Sequence, residues 1–313
     1  MTTAFLFPGQ GAQTVGMGAD VARAFPVAAE LFERANAIVR FDLRSVCFEG
    51  PAERLHSTTM SQPAIFVTSA ALLEVLKSTP AATRIQPDVT AGLSMGEYTA
   101  LYAAGIISFE DGLRLVSKRG QAMQAAADAT EGTMVSIIGL DAEKVRQLCE
   151  QAGEGELLEP VNFNCPGQIV ISGTLGACAR AERLAEKLGA LKAVRLEVAG
   201  AFHTQLMAGA AQTLHEALRH AGISQPGPVR TIANITAEYY RTAEDIVDGL
   251  TRQLTSPILW QRCMERLLAD GVEQFYEIGP GRVLTGLMKR IHRKVKVVNV
   301  SDLDSVTALA GEA

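Results

Sequence analysis

Short apolar runs ended by glycine or proline alternate with longer stretches of helical period along the chain. Residues 3–7 read as a strand that stops at Pro8-Gly9-Gln10-Gly11, where one proline and two glycines impose a tight turn. Val27, Leu31, Ala35 and Ile38 then fall on one face of a helix. From Pro63 to Leu76 nearly every residue is apolar or small, so that helix is predicted to be buried. Residues 87–91 read as a short buried strand and 95–104 as a helix that Gly105 ends. Ser108 and Asp111 form a capping-box variant opening a helix that runs to about residue 123. Late in the chain, 229–235 and 272–278 read as strands. Residues 252–257 close one helix, 258–260 lead into another, and a last helix follows Gly279-Pro280-Gly281.

Residues 133–198 change character. Strands at 133–140, 159–164, 168–173 and 193–198 enclose a capped helix at 141–150 and another at 179–188. The order β-α-β-β-α-β is the ferredoxin-like arrangement, expected here as a small subdomain at 128–198, inserted into a larger body of residues 1–127 and 199–313. Small residues at 127–132 and 199–200 are placed to act as hinges.

The candidate chemistry begins at the strand–turn–helix junction. Gly92-Leu93-Ser94-Met95-Gly96 is a G-x-S-x-G match, and that junction is the setting that makes it a nucleophile elbow. So sharp a turn strains the backbone and brings strand and helix close, where a Cβ would clash. The Ser94 hydroxyl would then stand at the mouth of a parallel sheet, with the helix start offering N–H groups to a developing oxyanion. The expected class is α/β, an α/β-hydrolase-like body with the ferredoxin-like insert. His203, in Gly200-Ala201-Phe202-His203-Thr204, follows a strand where base residues of such enzymes sit; the alternative is a structural histidine. His215, His220 and His292 read as surface residues. Arg119 lies among apolar neighbours: either it snorkels, or it is buried and needs a carboxylate or phosphate partner. N–H groups around Gln10 either help hold an anion or belong to a plain turn. Lys289, Arg290, Arg293, Lys294 and Lys296 form a solvated helix end or a docking patch for an acidic partner.

Composition narrows the setting. With 313 residues, 48% hydrophobic content, 20% charged content and 12 prolines, the chain reads as a soluble globular protein. No apolar run approaches the ~18 residues of a membrane span, and the first residues lack a signal-peptide pattern. Cys47, Cys149, Cys165, Cys178 and Cys263 are unclustered, so reduced thiols in a cytoplasm are expected, with no zinc site and no disulfide framework. A net charge of −5 argues against nucleic acid as partner.

Phe7-Pro8-Gly9-Gln10-Gly11-Ala12-Gln13, Gly92-Leu93-Ser94-Met95-Gly96-Glu97, Lys118-Arg119-Gly120, Gly200-Ala201-Phe202-His203 and Gln253-Leu254-x-x-Pro257-x-x-Trp260 occur in this order. Together they resemble the malonyl-CoA:acyl-carrier-protein transacylases of fatty acid and polyketide synthesis, over nearly the whole chain. The resemblance implies Ser94 as acylated nucleophile and His203 as its general base, with the N–H groups of Gln10 and Met95 as oxyanion hole. It implies that Arg119 grips the malonyl carboxylate and that the Gln253 carbonyl orients His203. Asp245 and Asp248 are candidates for a third acidic member on position only. Leu93 departs from the family pattern, which has histidine there, so polarity beside the nucleophile is lost. Phe202 matches the malonyl-type pattern, whereas members using methylmalonyl units carry a smaller residue.

The implied partners are malonyl-CoA and an acyl carrier protein, with no membrane, metal or redox cofactor, and the expected state is a monomer. Alternatives are a hydrolase clearing stalled acyl groups from carrier proteins, a transferase of an unusual acyl unit, or a docking protein without chemistry. Arg119 discriminates, because an uncharged acyl chain gives a buried guanidinium no partner.

Overall fold

The computed structural model describes residues 1–311 and builds two sheets from them. In chain order the strands are β1 (Thr2–Phe7), β2 (Val89–Gly92), β3 (Gly132–Ile138), β4 (Leu158–Cys165), β5 (Gln168–Thr174), β6 (Lys192–Arg195), β7 (Arg230–Thr231), β8 (Val272–Ile278) and β9 (Val297–Val300). The larger sheet runs β7-β2-β1-β8-β9, and every neighbouring pair is parallel. The smaller runs β4-β5-β3-β6, all antiparallel, and with helices Ala142–Gly153 and Leu175–Ala185 it has the ferredoxin-like order. The fold is thus the α/β class read from the sequence.

Alternation along the strands explains the layers. On β1, Phe5 and Phe7 join one core cluster with Phe66, while Ala4 and Leu6 join another with Trp260. Both faces of this parallel sheet are therefore covered. In the smaller sheet Val135, Ile137, Ile169 and Ile171 pack with residues of the two helices. The intervening residues Met134, Ser136 and Val170, with Asn162 and Asn164 of β4, line a cavity instead. The larger sheet supplies the opposite wall of that cavity through the turns after β1 and β2.

The structure differs from the sequence reading at several points. The buried helix is Thr58–Ser78, so it begins a turn before Pro63 and carries that proline inside it. A proline missing its N–H is expected in the first turn, but here packing buries Ser61 and Gln62 as well, and the helix extends to include them. By length and composition this helix could cross a membrane, contrary to expectation, yet 83% of its apolar window is buried inside the fold. The strand expected at 229–235 pairs only over Arg230–Thr231, because the chain then turns to bring Asn234 under the elbow. The strand expected at 193–198 is Lys192–Arg195, and the residues beyond it peel away to line the cavity. Ser108 does cap the helix Phe109–Asp128, which continues past the predicted end at residue 123.

Phe66 is wholly buried and packs against Phe109 at 5.8 Å and Tyr102 at 6.0 Å. Phe66→Ala is expected to cost about 3–5 kcal/mol. Urea unfolding should show a lower midpoint at unchanged slope.

Candidate active site

Strand β2 ends at Gly92 and the helix Gly96–Ala103 begins four residues later, so the chain reverses within three residues. A Cβ on Gly92 would sit 2.0 Å from the Gly96 carbonyl carbon, and one on Gly96 would sit 2.3 Å from the Phe7 carbonyl oxygen. Only glycine permits this approach. Ser94, between them, has φ 52, the left-handed region that strains a residue with a side chain. Two bonds hold it there. Its N–H donates to Asn234 Oδ1 at 2.7 Å, and its carbonyl accepts from Gln253 Nε2 at 3.1 Å. Asn234 Nδ2 in turn donates to the Gly92 carbonyl at 2.7 Å.

Ser94 Oγ lies 3.1 Å from His203 Nε2, and His203 Nδ1 lies 2.8 Å from the Gln253 carbonyl oxygen. A carbonyl only accepts, so Nδ1 carries the proton and Nε2 is left to accept from Ser94. Neither Asp245 nor Asp248 reaches this histidine. Asp245 caps the helix Ala243–Gln253 and Asp248 pairs with Arg252, so the third member is a backbone oxygen. His203 also has positive φ, at 63. Burial, followed by the positive charge of Arg119, pushes its pKa down to about 3, against the pull of the Gln253 carbonyl.

Arg119 is 1% exposed. Its Nη1 donates to Gln62 Oε1 at 2.9 Å, and its Nη2 to Gln253 Oε1 at 2.9 Å and Ser94 Oγ at 3.0 Å. Its Nε has no partner among the described residues. Of the open readings, burial holds and snorkelling does not, yet the carboxylate partner that burial demands is not in contact. Glu97, also buried, stands one step behind and accepts from Gln253 Nε2 at 2.7 Å, from the Asn234 N–H at 3.2 Å and from the Tyr240 hydroxyl. Burial pushes its pKa up to about 7, partly offset by those donors and by Arg119.

A cavity of about 570 Å³ opens over this group. Ser94, His203, Arg119, Gln10, Leu93 and Phe202 all line it. The Met95 side chain instead packs in the main core, and Gln253 lies behind Arg119. The N–H groups of Gln10 and Met95 have no hydrogen-bond partner among the described residues, which leaves two donors free beside the elbow. Residues missed in the sequence are Gln62, Glu97 and Asn234. Gln62 precedes the predicted helix start, Asn234 sat in a predicted strand, and an acidic residue in a first helical turn reads as a dipole partner. His56 also lines the cavity, although its sequence context carried no signal.

An elbow serine bonded to a neutral histidine, facing an acyl-sized cavity between two such sheets, defines an acyl-transferring enzyme of the serine class. The sequence model of the family described as "Acyl transferase domain" matches residues 4–311. The chain is 44% identical over 304 residues to a malonyl CoA-acyl carrier protein transacylase of Bacillus subtilis, covering 97% of this chain and 94% of that one. An acyl carrier protein S-malonyltransferase from Vibrio cholerae superposes with a TM-score of 0.93 at 41% identity, covering 99% of this chain and 100% of that one. A malonyl-transacylase solved in complex with a type II PKS acyl-carrier protein superposes at 0.94, with 38% identity and 100% of both chains covered. The chain belongs to the malonyl CoA-acyl carrier protein transacylase family.

Because the folded state holds His203 neutral, its ring signals in NMR should stay at neutral-imidazole values as the pH falls to about 5, well below an ordinary histidine pKa of about 6.5. A midpoint at the ordinary value would contradict the burial and Arg119 effects.

Proposed function

We propose that the protein transfers a malonyl group from malonyl-CoA to the phosphopantetheine thiol of an acyl carrier protein through an ester on Ser94. One observation carries the reading: Arg119 is buried, its bonded partners are all neutral, and it lies 3.0 Å from Ser94 Oγ. A cation so placed has no carboxylate bonded to it, and an acyl carboxylate supplies one with a two-pronged bond. A neutral acyl chain does not.

In the first step Ser94 Oγ attacks the thioester carbonyl carbon and its proton passes to His203 Nε2. The oxyanion is met by the N–H groups of Gln10 and Met95, each worth about 3 kcal/mol in such a position. As the intermediate collapses the C–S bond breaks, and the imidazolium returns the proton to the CoA thiolate. In the second step the carrier thiol loses its proton to His203, attacks the ester, and Ser94 regains the proton as the C–O bond breaks. The Gln253 carbonyl keeps His203 in the required tautomer. A malonyl carboxylate on Arg119 also offsets the charge that depresses His203, which makes imidazolium formation easier with this substrate than with a neutral one. Leu93 and Phe202 line the cavity beside Ser94, and Phe202 there limits room for a branch at the α-carbon of the acyl group.

We divide the chain into residues 1–127 with 199–313, and 128–198, with the cleft between them keeping water from the ester. The β3–β6 strands all fall within the second unit. Five buried free thiols support a reducing, cytoplasmic setting.

Intact-mass measurement after mixing with malonyl-CoA tests the reading. The wild type should gain one malonyl group and pass it to an added carrier protein, and Ser94→Ala should gain none. An adduct lost to water instead would identify a hydrolase. Arg119→Ala removes two charge-assisted bonds of about 1.5–3 kcal/mol each, so kcat/KM for malonyl-CoA should fall at least ~100-fold. Acetyl-CoA should improve relative to it, and retained malonyl selectivity would sink the clamp assignment.

A further inference from the structure

Glu97 has no part in the steps above, yet it is 1% exposed and built into the site. The Gln253 amide joins it to Arg119: Oε1 accepts from Arg119 at 2.9 Å, while Nε2 donates to Glu97 at 2.7 Å. A direct Glu97–Arg119 pair would fill the guanidinium fork. The amide between them leaves Arg119 with no bonded carboxylate and still places a negative charge near enough to act on it.

We infer that Glu97 is the counter-charge of Arg119 in the empty pocket and gives up that charge by taking a proton when a dicarboxylic acyl group binds. This rests on the assignment of Arg119 as carboxylate clamp. Two carboxylates and one guanidinium in a water-excluded site leave an unbalanced negative charge, which protonation of the rearmost carboxylate removes. The titratable groups that act on Glu97 are Arg119, Tyr98, Tyr240 and Cys263, and burial holds the two phenols and the thiol neutral. Arg119 is the cation among them, so neutralising it with a substrate carboxylate changes the field at Glu97 directly.

The proton comes from solvent. The Tyr240 hydroxyl donates to Glu97 Oε1, and Tyr240 is also among the residues lining a separate surface cavity of about 380 Å³. That places the phenol to relay the proton, passing its own to the carboxylate as it takes one from solvent. Glu97 thereby acts as a specificity-setting residue without touching substrate. A neutral acyl group leaves Arg119 unpaired and Glu97 ionised, and so gains nothing from the exchange.

With burial raising the Glu97 carboxyl to about 7, it is ionised before binding above that pH and protonated after. Calorimetry on Ser94→Ala protein at about pH 7.5, in two buffers of different ionisation enthalpy, reads the proton uptake directly. Malonyl-CoA should take up more of a proton than acetyl-CoA. Its affinity relative to acetyl-CoA should fall by up to about tenfold per pH unit in this range. Glu97→Gln should abolish the difference in uptake. Tyr240→Phe, which removes a donor to the ionised form, should move it to higher pH. Equal uptake with both ligands, or a difference that survives Glu97→Gln because His203 takes the proton, overturns the inference. If malonyl-CoA binds more tightly but with equal uptake, this inference alone falls. If it binds no more tightly than acetyl-CoA, the clamp fails and the inference falls with it.

Discussion

A guanidinium buried beside the Ser94 hydroxyl, with no carboxylate bonded to it among the described residues, is the constraint on which this site depends. Taking such a charge out of water costs several kcal/mol unless something answers it. Here the answer comes from three segments far apart in the chain: Gln62 on the helix Thr58–Ser78, Ser94 at the elbow and Gln253 at the end of the helix Ala243–Gln253. Their oxygens accept from Nη1 and Nη2 without neutralising the charge, and Nε keeps no partner among the described residues. The chain has therefore kept a cation with no bonded carboxylate 3.0 Å from Ser94 Oγ.

The same residues hold the strained turn. Ser94 and His203 both occupy left-handed conformations, each costing on the order of 1–3 kcal/mol. That strain persists because Asn234 and Gln253 bond the elbow backbone while the Gln253 carbonyl holds the imidazole. Gln253 thus holds Ser94, His203 and Arg119 with separate atoms. Its complete burial fits that load, since each of its polar groups has a partner inside the protein.

The second sheet completes the site without contributing to the serine–histidine pair. One of its faces is apolar and covered by helices. Its other face presents Ser136, Asn162 and Asn164 to the cavity beside Met134 and Val170, so this wall is mixed polar and apolar.

Much of this was legible in order along the chain. Glycines at 92 and 96, a proline and two glycines after β1, and strands with clear alternation report local geometry, and local geometry is what sequence encodes most directly. Ser94, His203 and Arg119 stood out because their residue types are chemically unusual in those settings. Gln62, Asn234 and Glu97 did not, for each has an ordinary local reading, as helix-preceding polar residue, strand residue and dipole partner. Only the fold, by bringing Glu97 within 2.7 Å of Gln253, 156 positions away, turned an unremarked carboxylate into part of the site. The helix Thr58–Ser78 makes the same point in the other direction, since its composition fits a membrane while its packing is that of a core. The sequence alone determined the class of fold and singled out Ser94, His203 and Arg119 as candidates. Tertiary structure decided which neutral groups surround the Arg119 charge, because burial and long-range hydrogen bonds are properties of segments meeting in space.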